Sequence, residues 1–178
     1  IELGLSCLAI TDHCDVNGEA EKIYASYDSD GAWQAMCAAK EKYRGSLNLI
    51  LGIELGQPEQ YPEVAEAFLR RHPYEFIIGS VHNLDRVPDF CMMNFEYIPD
   101  ALAFQLFDRT LDEMNALIDF PITTLAHLTY QTRYMAIAGK HFDFAPHRDK
   151  TAALLKKLIS RGIALEINVS TVWRGLGF

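Results

Sequence analysis

With 178 residues, the chain is long enough for one domain with a sizeable core, but short of the ~250 residues of a complete eight-stranded α/β barrel. Hydrophobic residues make up 49% and charged residues 22%, ordinary globular usage that argues against disorder, and no apolar run reaches the ~20 residues of a membrane span. The net charge of −8 argues against a nonspecific nucleic-acid or membrane surface, since both need a basic field.

In chain order, Ile1-Glu2-Leu3-Gly4-Leu5 reads as the last turn of a helix with a glycine stop. The first strand-like run, Leu8 to His13, closes on Thr11-Asp12-His13. A helix is predicted over Ala32–Tyr43, opened by the Asp28-Ser29-Asp30-Gly31 turn and ending before Gly45. The second apolar run, Leu47 to Glu54, precedes a helix over Tyr61–Arg71 with Pro62 near its first turn. The third, Phe76 to His82, leads into Leu84–Pro99, predicted as a long loop and, because it leaves a strand tip, as a lid or substrate wall. Asp100–Ile118 carries Leu102, Leu106, Leu111, Met114 and Leu117 on one stripe, with Asp100 as its cap. The fourth run, Ile122 to His127, is followed by a helix over Asp149–Arg161 that stops at Gly162, and the fifth runs from Ile163 to Asn168.

Strands alternating with helices in this way are the rhythm of successive βαβ units, with no Pro/Ser-rich linker between them. The expectation is a single domain over 1–178. A barrel whose first and last strands are missing leaves edges and apolar surface exposed, so both ends read as cut. Cys7, Cys14, Cys37 and Cys91 have no CxxC spacing and are expected as reduced thiols in a cytoplasmic protein. Cys14 is expected as packing rather than as a thiolate ligand.

Four of the five runs end on a His or Glu: His13, Glu54, His82 and His127. These are preferred ligands of zinc-like and manganese-like ions, and a parallel α/β barrel gathers its chemistry where strands end. Each alone is unremarkable: a lone Asp-His pair is usually a turn, and a lone histidine is usually a satisfied core residue. Their joint occurrence reverses the odds. Asp12 is expected to orient His13 as a carboxylate acceptor, and Glu54 is of the type that bridges two metals. Arg133 and Arg174 fall in loops past strand tips, where guanidinium forks suit a phosphate monoester. Glu166 and Asn168, two apart in a strand, face one side, toward substrate or a metal-bound water. His72, His141 and His147 are expected as surface residues.

Ile10-Thr11-Asp12-His13-Cys14-Asp15, Gly52-Ile53-Glu54, Ile78-Gly79-Ser80-Val81-His82, Ala126-His127-Leu128-Thr129 and Glu166-Ile167-Asn168 together resemble the successive motifs of the polymerase and histidinol phosphatase (PHP) family, most closely its histidinol-phosphatase branch. The resemblance implies an α/β fold, a distorted (β/α)7 PHP-type barrel, here lacking its first and last strands, with two or three divalent metal ions (Zn, Mn or Fe). It implies His13, Glu54, His82 and His127 as metal ligands, Glu54 and Asp12 as catalytic residues, and Arg133, Arg174 and Asn168 as substrate-binding residues. The implied activity is hydrolysis of a small phosphorylated metabolite, L-histidinol phosphate in histidine biosynthesis. The alternatives are another PHP phosphoesterase, or a non-catalytic metal-binding barrel. The family's opening HxH and closing Asp-x-His motifs are absent from the sequence, and the segment after Asn168 departs from the family pattern.

Overall fold

The computed structural model describes residues 4–21 and 27–170. The chain divides into two compact units, 1–78 and 79–178.

In the first unit, strand β1 (Cys7–Asp15) lies parallel to β2 (Asn48–Gly56), and the register pairs His13 with Glu54. Leu49, Leu51, Ile53 and Leu55 are all buried. They occupy every second position, as a strand with one face in a core requires. The main-chain N–H of Glu75 donates to Leu51 O at 2.8 Å, bringing the entry of β3 (Phe76–Ser80) alongside β2. Among its described residues the unit also contains the helices α1 (Val16–Glu21), α2 (Ser29–Lys42) and α3 (Pro62–Leu69). α2 begins where the Asp28 carboxylate accepts from Gly31 N at 3.0 Å, a side-chain cap on an otherwise orphaned donor. Its start lies three residues before the predicted one, and α1 has no counterpart among the predicted helices. Both strands run two residues beyond His13 and Glu54, so these residues lie inside the ladder rather than at its tip.

Gly52 is required by close approach. A Cβ there would meet Phe76 O at 2.7 Å, Thr11 Cγ2 at 2.8 Å and Ile10 O at 3.1 Å. Backbone oxygens cannot rotate away, so Gly52→Ala is expected to lower stability by about 1–3 kcal/mol, read as a reduced denaturant midpoint at unchanged slope.

The second unit takes up the end of β3 and contains α4 (Asp100–Leu117), β4 (Thr124–Leu125), α5 (Tyr130–Ile137), α6 (Arg148–Arg161) and β5 (Ala164–Leu165). Ala103, Leu106, Phe107, Leu111, Met114 and Leu117 form the buried stripe of α4. Pro99, not Asp100, occupies its cap position, and the Asp100 carboxylate pairs with Lys140 at 2.6 Å. α6 ends as predicted at Gly162, which adopts φ 68°, the left-handed conformation that glycine takes without a Cβ penalty. β4 and β5 pair in parallel, Thr124 opposite Ala164 and Leu125 opposite Leu165, and Ala126 N donates to Gly79 O at 2.8 Å. β5 stops at Leu165, so Glu166 and Asn168 lie just past the strand, not in it.

The predicted long loop is partly structured. It forms two short 3₁₀ turns, Phe90–Met92 and Phe95–Tyr97, with Phe90 and Phe95 fully buried. Side chains so anchored make a wall. Of the predicted opening helix turn, residues 1–3 lie outside the described residues, and Gly4 has φ 74°. No described helix is long and apolar enough to cross a membrane.

Candidate metal centre

In the second unit, the two histidines that follow β3 and β4 come together. His82 and His127 are buried, at 4% and 9% exposure, and their rings stack at 5.1 Å with an interplanar angle of 11°. Their Nε2 atoms face one another at 3.1 Å. Glu166 Oε2 accepts from the main-chain N–H of His127 at 2.7 Å and lies 3.1 Å from His127 Nδ1. Donation by the His127 side chain holds the Glu166 carboxyl below the ordinary carboxylate range, against the opposing effect of burial. An ionised carboxylate only accepts, so Nδ1 carries the proton and Nε2 presents its lone pair toward His82. This carboxylate–imidazole pairing is the arrangement that orients metal-binding histidines. Two buried imidazoles with converging Nε2 atoms, one already fixed in the ligating tautomer, fit a divalent metal of the zinc type. The sequence pointed Glu166 toward substrate or a metal-bound water; in the structure its carboxylate pairs with His127, 39 residues away in the chain.

Asn168 and Arg133 extend this group. Asn168 Nδ2 donates to Glu166 Oε1 at 3.4 Å, and Asn168 Oδ1 accepts from Arg133 Nη2 at 3.2 Å. Arg133 is not in a loop but on α5, and it is buried at 9% exposure. Its Nε is buried with no hydrogen-bond partner among the described residues, an unspent donor on a guanidinium already fixed at its other end. Tyr130, which the sequence reading did not single out, packs against both imidazoles, at 5.1 Å from each ring. Burial first, then the Tyr134 hydroxyl and the Asp89 charge, pushes its phenol far above the ordinary range, so at neutral pH it is a neutral donor. Arg174 lies outside the described residues.

The first unit carries a second donor pair. His13 Nε2 lies 3.6 Å from Glu54 Oε2, with the His13 side chain 63% exposed and that of Glu54 12%. Their adjacency follows from the β1–β2 register. Asp12 does not orient His13: successive strand residues point to opposite faces, and the Asp12 carboxylate instead accepts from the Tyr27 hydroxyl at 3.4 Å. Cys14 is buried, in keeping with a packing role.

Of the histidines expected at the surface, His141 is exposed, but His72 and His147 are not. His72 stacks on Trp33 at 4.9 Å and 5° and meets Asp30 Oδ1 at 2.8 Å. His147 is buried against Phe104, Phe107 and Phe142. In both cases aromatic contacts outweigh the preference of imidazole for water.

Residues 1–170 match the family model described as PHP domain. A curated relative from Clostridium acetobutylicum named "Probable histidinol-phosphatase" is 24% identical over 161 residues, 90% of this chain and 60% of its own length. The crystal structure of histidinol phosphate phosphatase from Lactococcus lactis subsp. lactis, complexed with zinc, L-histidinol and phosphate, is similar with TM-score 0.67 at 20% identity, covering 94% of this chain and 63% of that one. A crystal structure from Listeria monocytogenes is similar with TM-score 0.79 at 18% identity, covering 98% and 75%. The chain thus spans about half to three-fifths of the length of the curated relatives it matches.

Proposed function

The chain belongs to the PHP domain family and has its α/β fold, and on that premise we propose that it forms the larger part of a metal-dependent phosphomonoesterase acting on L-histidinol phosphate in histidine biosynthesis. The observation that carries this reading is the buried His82–His127 pair with Glu166 fixing one tautomer. In the Lactococcus relative the same fold accompanies zinc, L-histidinol and phosphate.

In this proposal His82 and His127 hold metal in the second unit, while His13 and Glu54 offer a nitrogen and a carboxylate in the first. Two or three divalent ions are expected, with zinc favoured by the relative and manganese or iron compatible with the donor types. Such ions supply a Lewis acid for the phosphoryl oxygens and a nucleophilic water at neutral pH. Arg133 is proposed to grip the phosphate: its guanidinium is held by Asn168 and keeps Nε available, which suits planar recognition of an oxyanion. Asn168 positions Arg133 and ties it to the carboxylate that orients His127. Arg174, past the described residues, is proposed as a second phosphate contact, and Asp12, on the strand that carries His13, as a further acid–base group. The acidic charge of the chain suits a phosphorylated metabolite better than a polynucleotide or a membrane, and four cysteines outside any disulfide favour the cytoplasm.

Phosphate release from L-histidinol phosphate, measured with the zinc- or manganese-loaded whole protein beside a panel of nucleotides and sugar phosphates, tests the proposal. Selective turnover of L-histidinol phosphate is expected. Hydrolysis of other esters only would move the substrate, and inertness toward the whole panel with metal bound would sink the phosphatase reading in favour of a metal-binding barrel.

A further inference from the structure

We propose that Tyr130 is a positioning residue, a rigid plate that packs against both the His82–His127 pair and Arg133. Its ring meets the His82 ring at 65° and the His127 ring at 56°, at 5.1 Å from each centroid. The two imidazoles are themselves nearly parallel. Parallel rings in contact can slide and rotate about their χ2 torsions; a third ring set steeply against both blocks that motion for both at once. The Arg133 guanidinium lies 5.6 Å from the centre of the same tyrosine ring, close enough for cation–π attraction.

The plate is fixed at both ends. Its main-chain N–H donates to His127 O at 2.8 Å, and its hydroxyl donates to Asp89 Oδ1 at 3.0 Å. That Asp89 oxygen also accepts from Cys91 N at 2.7 Å, at the entry to the first 3₁₀ turn. The Tyr134 hydroxyl, one helical turn along α5, donates to the Tyr130 hydroxyl at 3.2 Å. Asp89 therefore ties the wall that follows His82 to the ring that packs on His82. The arrangement links the proposed metal ligands to the proposed phosphate-gripping arginine through one side chain, and so rests on the reading of the site given above.

The test compares wild type with Tyr130→Leu and Tyr130→Phe. The readouts are zinc affinity by chelator competition, the visible spectrum of the cobalt-substituted proteins, and kcat and KM for phosphate release. Tyr130→Leu removes the plate and is expected to weaken zinc binding by about 10–100-fold, the range typical of groups that support metal ligands. It should also alter the cobalt spectrum and raise KM as Arg133 loses its stacking partner. Tyr130→Phe keeps the ring and should retain affinity and spectrum, which a loss of general stability would not achieve. Circular dichroism reports folding, and Tyr130→Met, which fills volume without a ring, takes the place of a Leu variant that does not fold. Wild-type zinc affinity and an unchanged cobalt spectrum in the folded ring-less variant overturn the inference alone. A wild type that binds no metal overturns the reading of the site, and this inference with it.

Discussion

His82→Ala is expected to reduce bound zinc and to bring phosphate release to background, because it removes one of the two imidazoles whose Nε2 atoms converge in the second unit. The remaining His127 keeps its orienting carboxylate but not its fellow donor, and a single imidazole holds a divalent ion poorly. Glu54→Ala is expected to have the same effect on turnover by removing the one carboxylate of the His13–Glu54 pair, the ligand type that can bridge two ions. Metal content by elemental analysis and phosphate release on the same samples check both substitutions. A His82→Ala protein with full metal content and normal turnover would exclude His82 from the centre.

The second large effect is expected at Glu166, which acts through His127. Glu166→Gln preserves shape but replaces an ionised acceptor with a neutral amide opposite the Nδ1–H of His127. Zinc affinity should fall by about 10–100-fold, as is typical when the group supporting a ligating histidine is changed. Glu166→Ala goes further. It also takes the acceptor away from the main-chain N–H of His127, at a cost of about 1–3 kcal/mol for a donor left unsatisfied. Chelator competition separates the variants from wild type, and equal affinities across the three proteins would remove Glu166 from its role.

The strands were legible because their apolar runs are dense. Leu47 to Glu54 could not be mistaken for a surface segment, and its parallel partner aligns His13 with Glu54. The boundaries were less legible. β1 and β2 continue past their histidine and glutamate, because pairing with a neighbouring strand sets the end of a ladder more than side-chain type does. α5 escaped notice for a different reason. Its buried residues include Gln131, Thr132 and Arg133, so no apolar stripe marks it and Arg133 read as a loop residue. The four proposed ligands were legible as types in positions. Their supports were not: Glu166 reaches His127 across 39 residues and Asp89 reaches Tyr130 across 41, and nothing local in either segment announces the contact. The burial of His147 among three phenylalanines was hidden in the same way, because two of the three are supplied by α4.

The most direct test is anomalous diffraction at the zinc edge from crystals of the metal-loaded whole protein. The proposed His82–His127 centre requires a peak about 2.0–2.1 Å from the Nε2 atoms of both histidines, the usual zinc–imidazole distance, with Glu166 still on Nδ1 of His127. Zinc bound elsewhere, with the two imidazoles still in mutual contact, would contradict it.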